Sequence, residues 1–196
     1  MQLFVFLHPK DRSMHSSLLS QYLVDLQINT HSSPILDLAC GSGRNGLFCL
    51  EKSLPVVFSD VKQQVLTEIK QRIIDDSDKY LPSLAKFWQI DFELENVNPF
   101  TTNSYSAVMV FRYLHRPLIE KIKTAVVPNG LVIYETFTVS QANFGRPKNT
   151  DFLLKAGELA EYFSDWQVLH YFEGIIISDT GSNSQAIAQI VARKPL

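Results

Sequence analysis

The chain has 196 residues, of which 45% are apolar and 19% charged, and its formal net charge is -2. This composition is typical of one globular domain with a full hydrophobic core, and it excludes a disordered or fibrous chain. The weakly negative charge gives no general attraction to nucleic acid, and no apolar run reaches the roughly 18 residues that a membrane-spanning helix needs.

The N-terminal part of the chain predicts an ordered extension followed by a helix. Residues 1–7 are too short for the core of a signal peptide and lack a basic leader, so we expect a strand or ordered extension, with Met14 as a second candidate start. Apolar residues recur at helical spacing from Leu18 to Leu26. We therefore expect residues 1–33 to include a helix that caps a ligand site.

A glycine-rich turn is the most informative feature of the sequence. In residues 34–46, PILDLACGSGRNG, a short apolar strand meets Gly41 and Gly43, and a helix should follow with Leu47, Phe48 and Leu50 facing inward. Glycines allow a strand to turn sharply into a helix, and they let a ligand approach the backbone. Together with Gly46 they also satisfy the dinucleotide pattern G-x-G-x-x-G, so the neighbouring residues must decide which ligand is meant.

Two acidic residues favour a cationic nucleoside over a dinucleotide. Asp37 lies four residues before the first glycine, where a carboxylate would repel a pyrophosphate. Asp60 follows the next apolar strand, Val56–Ser59, at the position where an acid can accept hydrogen bonds from ribose hydroxyls. S-adenosylmethionine, which carries a sulfonium and an ammonium group, satisfies both residues.

These residues resemble motif I and the ribose-binding acid of class I S-adenosylmethionine-dependent methyltransferases. Further segments resemble the later motifs of that family in the same order, and they are Trp88–Phe92, Tyr105–Phe111 and Val127–Ile133. The C-terminal part, with residues 157–159 and 188–194, is similar to the bacterial tellurite-resistance methyltransferases and their small relatives. The resemblance covers about residues 34–194.

The resemblance implies an α/β fold, with S-adenosylmethionine as cofactor and S-adenosylhomocysteine as product. We expect a single domain over residues 1–196, with a Rossmann-like, seven-stranded, mostly parallel sheet, helices on both faces and an antiparallel last strand. The residues expected to contact the cofactor are Asp37, Ala39, Gly41, Gly43, Asp60, Val61, Asp91, Phe92 and Phe111. Of these, Asp37 would balance the ammonium through a water or backbone group, Asp60 would hold the ribose, and Val61 would pack on the adenine. Asp91 and Phe92 would border the base, and Phe111 would lie under the methionine arm.

The remaining elements alternate between strands and helices, which is typical of an open parallel sheet. In chain order we first predict a helix carrying Val65, Ile69 and Ile73, a charged connection over 75–83, a strand over 86–90 and a loop over 96–104. A strand over 106–111, a helix over 117–124 and a strand over 131–136 follow. The last part is predicted to hold an irregular insertion over 140–151, a helix over 157–162, and an antiparallel hairpin of strands 166–171 and 184–193 joined through 179–181.

The residues after the fourth strand are the best candidates for catalysis. Tyr113 or His115 could accept a proton or orient the methyl acceptor, and Arg112 could bind it. The competing interpretation is structural: His115 would cap the next helix, and Arg112 or Arg116 would pair with a nearby acid.

The insertion after the fifth strand is the second candidate region. Residues 138–156 could form a lid in which Arg146 and Lys148 attract an anionic acceptor, or they could be a plain surface loop. Glu135, at the end of the fifth strand, could face the same cavity, whereas Glu158 is expected to stabilise the start of a helix.

The leading functional hypothesis is a cytoplasmic methyltransferase of a small molecule, such as an oxyanion or a thiol. The chain lacks both the Asn/Asp-Pro-Pro-Tyr/Phe motif of amino-group methylation and the Pro-Cys nucleophile used on pyrimidine carbon. The alternatives are an RNA or protein methyltransferase and a non-catalytic module that binds S-adenosylmethionine. We expect a monomer or homodimer, no metal, and two reduced cysteines, Cys40 and Cys49.

Overall fold

One mixed sheet carries the fold in the computed structural model, which describes residues 15–29, 33–94, 99–177 and 184–196. The strands in these ranges are β1 (Ile35–Leu38), β2 (Val56–Asp60), β3 (Ala85–Gln89), β4 (Tyr105–Phe111), β5 (Val126–Phe137), β6 (Gln167–Ile176) and β7 (Gln185–Arg193). The α-helices in the same ranges are α1 (Ser17–Gln21), α2 (Leu23–Asn29), α3 (Arg44–Glu51), α4 (Gln63–Asp75), α5 (Ile119–Ala125) and α6 (Glu158–Tyr162).

The seven strands of the described sheet are arranged in the order β3-β2-β1-β4-β5-β7-β6. Strands β1 to β5 are parallel, and β7 runs antiparallel to both of its neighbours, β5 and β6. The predicted fold class, including the antiparallel last strand, is therefore confirmed.

Helices cover both faces of the sheet, because side chains alternate along each strand. Apolar residues of α1 to α4 form one core cluster with Ile35 of β1, while those of α5 and α6 form a second cluster with Leu36 and Leu38. Asp37 alternates with Leu36 and Leu38, so its side chain lies on the α3 face of the sheet. That face carries the first part of the candidate site.

Several predicted elements differ from the structure at their boundaries. The N-terminal helix is divided at Tyr22, whose hydroxyl donates a hydrogen bond to the carbonyl of Leu169. The helix predicted over 117–124 begins as a 3-10 turn, Arg116–Leu118, and becomes α-helical at Ile119. Strand β6 extends five residues beyond the predicted 166–171, to Ile176.

Strand β5 is longer than predicted because both of its neighbours extend the pairing. Its first residue, Val126, pairs with Tyr105 of β4 across an irregularity in the register. The backbone N–H groups of Asn129 and Lys194 then bond to the carbonyls of Lys194 and Gly130, at 3.1 and 2.9 Å. These bonds extend the ladder with β7 beyond Arg193.

Some predictions fall outside the described residues. These are the N-terminal extension over 1–7, the candidate start Met14, the first part of the loop predicted over 96–104 and the hairpin connection 179–181. None of the helices in the described ranges combines the length and hydrophobicity that a bilayer crossing requires.

Candidate active site

The candidate site lies at the carboxyl ends of β1 and β4. These two strands are neighbours, and from them the chain proceeds outward in opposite directions, to β2 and β3 on one side and to β5 on the other. Open α/β sheets bind ligands at such a switch point. Each strand is followed directly by a residue with positive φ, Ala39 at 51° and Arg112 at 60°, a conformation that is costly for residues other than glycine.

The glycines of the turn after β1 have different surroundings. Gly41 has a φ of 52°, and a Cβ atom built on it would meet no atom within 4 Å. Gly43, the residue before α3, has a φ of 71°, but a Cβ atom there would lie 2.6 Å from Cδ1 of Ile69. The open space that a ligand needs is therefore at Gly41, whereas Gly43 allows close packing of α4.

Asp37 is buried beneath this turn, with 2% of its surface exposed. Its Oδ2 accepts a hydrogen bond of 2.8 Å from the backbone N–H of Gly46, in the first turn of α3. Burial raises the pKa of Asp37 to about 7, although the Gly46 N–H and the charge of Arg44 act in the opposite direction. A cation bound beside Asp37 would relieve the cost of ionising this carboxyl.

Asp60 ties the end of β2 to the turn after β1. Its Oδ2 accepts a hydrogen bond of 3.0 Å from the N–H of Gly41, and its Oδ1 accepts one of 2.9 Å from the N–H of Lys62. Each carboxylate oxygen has a further lone pair, so the group can still accept hydrogen bonds from a ligand. The next side chain, Val61, is about half exposed and offers an apolar surface at the same edge.

The residues after β3 are placed differently from one another. Asp91 is exposed, and its Oδ1 accepts a hydrogen bond from the N–H of Glu93. The ring of Phe92 is buried in an aromatic cluster, with its centroid 5.7 Å from those of both Trp88 and Phe100. Phe92 therefore supports the wall of the site from the core, and its predicted contact with the base stays a prediction, as does that of Asp91.

Arg112 is held against the end of β5. Its Nη2 lies 3.0 Å from Oε1 of Glu135, and its backbone N–H donates to the carbonyl of the same residue. Its guanidinium also stacks on the ring of Phe137, with the central carbon 4.6 Å from the centroid. Phe111, the residue before it, is half-buried against the core on the α3 face.

Tyr113 and His115 have contrasting environments. Burial, together with the neighbouring carboxylate of Glu93, to which the hydroxyl is hydrogen-bonded, raises the pKa of the Tyr113 phenol. Tyr113 is therefore a hydrogen-bond donor at neutral pH and a poor base. His115 is half-exposed at the start of a 3-10 turn, and its side chain makes no hydrogen bond to the described residues. The helix-capping interpretation of His115 is therefore wrong.

Arg116 has a structural role. Its guanidinium bonds to both carboxylate oxygens of Glu158, at 2.6 and 3.0 Å, and to the carbonyls of Asp151 and Leu153, both at 2.8 Å. Burial alone would raise the pKa of Glu158, but Arg116, the N–H of Lys155 and the hydroxyl of Tyr162 together lower it to about 2. The expected pairing of an arginine of this loop with an acid is confirmed twice, for Arg112 and Arg116.

The segment 138–156 is irregular, as predicted, and its ends are fixed. It contains two 3-10 turns, Val139–Asn143 and Thr150–Phe152, and Thr138 forms a parallel bridge with Leu154. The buried side chain of Gln141 accepts a hydrogen bond from the N–H of Ala186 and donates one to the carbonyl of Arg146. The side chains of Phe144, Arg146 and Lys148 are exposed.

Sequence reasoning missed the partners that hold the loop after β4. Glu93, Gln189 and the pairing of Arg116 with Glu158 come from distant parts of the chain, and no local pattern points to them. Within the described ranges, no group of three or more His, Cys, Asp or Glu residues could hold a metal ion, and both cysteines are free.

A comparison with protein families identifies the chain. The family model described as tellurite resistance protein TehB matches residues 18–188. The chain belongs to the TehB family. Membership of this family is consistent with the class of S-adenosylmethionine-dependent methyltransferases and implies S-adenosylmethionine as the cofactor. The open backbone at Gly41 and the two carboxylates beside it fit this group, and Asp37 and Asp60 are the residues that would face its ammonium and its ribose.

Solved structures show the same fold in related chains. TehB from Haemophilus influenzae superposes with a TM-score of 0.72 at 20% identity, over 94% of this chain and 63% of that one. A methyltransferase from Methanosarcina mazei superposes with a TM-score of 0.59 at 16% identity, over 87% and 96% of the two chains. The [4+2]-cyclase SpnF superposes with a TM-score of 0.66 at 14% identity, over 98% and 86%.

This chain therefore spans less than two thirds of the length of the Haemophilus influenzae TehB structure. A comparison with curated protein sequences finds no match.

Proposed function

We propose that this chain transfers the methyl group of S-adenosylmethionine to a small-molecule acceptor, an oxyanion or a thiol, by direct in-line displacement. The observation that carries the proposal is the pairing of Asp60 with the N–H of Gly41, beside open space and next to the buried Asp37. Two carboxylates around bare backbone favour a cationic nucleoside, because they would repel phosphate groups.

The bound sulfonium supplies an already activated methyl group, so the protein has to align the acceptor, exclude water and remove a proton where needed. We assign proton removal to His115, because its imidazole has no partner among the described residues and histidine is the side chain that most often acts as a general base. Tyr113 is assigned the orienting role, since its phenol stays protonated.

The segment 138–156 is proposed as the lid of a single domain over residues 1–196. Its ends are fixed, and the side chains in its middle part are exposed. Arg146 lies in that middle part and would bring a positive charge to an anionic acceptor. The acceptor is proposed to be small because the site would be covered by this one short segment.

The cofactor assignment is tested with Asp60→Ala. Loss of charge-assisted hydrogen bonds should weaken binding of S-adenosylhomocysteine by about 1 to 3 kcal/mol, measured by calorimetry. Asp165→Ala is the matched control. Asp165 follows α6, is exposed, and forms its ion pair with Lys123 of α5, so its loss should leave cofactor binding unchanged. Unchanged affinity in the Asp60 variant would contradict the assignment.

The acceptor is tested with methyl-labelled cofactor and fractionated cell extract. We expect label in a fraction of low molecular mass that survives nuclease and protease treatment. Tellurite is included as a separate acceptor because the family is named for resistance to it. Label in RNA or protein would instead favour the alternative methyltransferase.

One observation favours a second candidate function. SpnF has the same fold and is described as a [4+2]-cyclase, so the fold by itself does not specify methyl transfer. Tight binding of S-adenosylhomocysteine without transfer of label to any fraction would therefore indicate a module that only binds the cofactor.

A further inference from the structure

Arg112 has a buried hydrogen-bond donor without a partner. Among the described residues, the buried side-chain atoms that lack a partner are Ser106 Oγ, Arg112 Nη1 and Arg193 Nε. Only Arg112 lies at the carboxyl ends of the parallel strands, beside the candidate cofactor site. Leaving a charged donor unsatisfied is costly, so such an atom points to a group that binds there.

The rest of the guanidinium is fixed by a chain of polar side chains across three strands. Glu135 of β5 is 1% exposed and binds Nη2 of Arg112 through Oε1. Its Oε2 accepts a hydrogen bond of 2.5 Å from Nε2 of Gln189 on β7. The amide oxygen of Gln189 lies 3.2 Å from Nε2 of His170 on β6, so the amide donor is turned toward Glu135.

This arrangement fixes the direction of the guanidinium. With Nη2 bound to Glu135 and the plane stacked on Phe137, the fork of Arg112 has little freedom to rotate. Nη1, the buried nitrogen without a partner, is therefore presented as a preorganised donor. A planar guanidinium with a free donor matches a carboxylate or another oxyanion better than it matches a neutral group.

Arg112 and Asp37 belong to the same neighbourhood. Met109, which pairs with Asp37, lies two residues before Phe111, which pairs with Glu135, so Asp37 and Glu135 lie on one face of the sheet, on the two strands that flank β4. Burial raises the pKa of Asp37 and lowers that of Arg112, and it is the largest influence on each. The charge of Arg44 lowers both pKa values. The Asp37 carboxylate and the guanidinium that pairs with Glu135 thus lie on the same face of the sheet, both within the electrostatic influence of Arg44, as the two ends of an amino-acid zwitterion require.

We propose that Arg112, positioned by Glu135 and Gln189, is the anion-binding residue of the site and receives a carboxylate or similar oxyanion on Nη1. This inference rests on the proposed function. The anion has two sources, the amino-acid carboxylate of the cofactor and an anionic group of the acceptor. The two sources share the same chemistry at Arg112, and ligand binding separates them.

The experiment compares two nucleosides by calorimetry in the wild type and in Arg112→Met. S-adenosylhomocysteine carries the amino-acid carboxylate, whereas 5′-methylthioadenosine lacks the amino-acid end. If the cofactor supplies the anion, the variant should bind the first about 10- to 100-fold more weakly and the second unchanged. If the acceptor supplies it, both nucleosides should bind normally, and tellurite should bind the wild type saturated with S-adenosylhomocysteine but not the saturated variant.

Controls separate this role from a structural one. Arg193→Met is the matched control, because Arg193 also pairs with an acid, Asp25, and has a buried donor without a partner, but lies at the opposite edge of the sheet. Since Arg112→Met leaves Glu135 buried and unpaired, Arg112→Met/Glu135→Gln is the second variant, with no unpaired charge.

The outcomes are distinct. Equal weakening of both nucleosides, or no change in any of the three ligands, would overturn the proposal. If the wild type binds neither nucleoside, the proposed function fails first, and the assignment of Arg112 fails with it.

Discussion

The two loops that meet at the carboxyl edge of the sheet differ in what holds them. The turn after β1 is closed by Asp37 and Asp60, which lie on the neighbouring strands β1 and β2 and accept hydrogen bonds from the backbone N–H groups of Gly46 and Gly41. The loop after β4 is held by acidic side chains from three other places, the segment after β3, the end of β5 and the start of α6. The first loop depends on local geometry, and the second on how distant elements pack.

This difference indicates a division of tasks between the loops. A turn whose hydrogen bonds are local can keep one shape for a cofactor. A loop whose side chains take partners from several elements depends on how those elements pack, so its shape can change when any of them changes. The three predictions below test the two loops, from the largest expected effect to the smallest.

The largest effect concerns Asp37 in the protein without ligand. Its carboxyl has a pKa of about 7 in the folded protein against an ordinary value of 3.8, so the folded state keeps its proton between about pH 4 and 7 while the unfolded chain releases it. The free energy of unfolding contributed by this group should therefore fall as the pH rises through that window, by on the order of 3 to 4 kcal/mol.

Asp37→Asn should lack this contribution, because the amide does not titrate and can still accept the Gly46 N–H. The measurement is urea denaturation of both proteins from pH 4 to pH 8. Identical pH profiles would show that Asp37 ionises normally, and the turn would then not be poised for a cation.

The second effect tests the packing of α3 on the same turn. In Gly46→Ala the added Cβ would lie 2.3 Å from Cε1 of Phe58 and 2.8 Å from Oδ2 of Asp37. Overpacking should lower the free energy of unfolding by about 1 to 3 kcal/mol, partly offset by the better helix propensity of alanine. Thermal denaturation measures the change.

Gly174→Ala is the matched control for that substitution. Its Cβ would meet the far end of the flexible Phe172 side chain at 3.0 Å, which can move. A Gly46 variant no less stable than the Gly174 variant would contradict the tight contact between α3 and the β1 turn.

The smallest effect concerns the loop after β4. Arg116→Met removes the bonds to Glu158 and to two carbonyls of the 151–153 segment, and should cost about 1 to 2 kcal/mol because the pair is partly exposed. Lys148→Met, at an exposed position of segment 138–156, should change stability by less than about 0.5 kcal/mol. Equal stability of the two variants would refute the anchoring role of Arg116.

The turn after β1 and the loop after β4 also differ in how much of each could be predicted from the sequence. The β1 turn, its two acids and the alternation of strands and helices could be predicted, because their signals are a local run of residues and a repeated change of hydrophobic period. The partners of Arg112 and Arg116 could not be predicted individually, since any buried acid would satisfy an arginine. The break at Tyr22 depends on a carbonyl of β6, and the early start of β5 depends on pairing with β4 and β7.

The bridge between Thr138 and Leu154 has a consequence for protein engineering. It brings the two ends of segment 138–154 side by side on the sheet, so the chain between them forms a closed cassette. Exchanging such a cassette for one of another length changes the closure entropy only slowly. A stretch of another length can therefore be inserted between Thr138 and Leu154 without redesigning the scaffold.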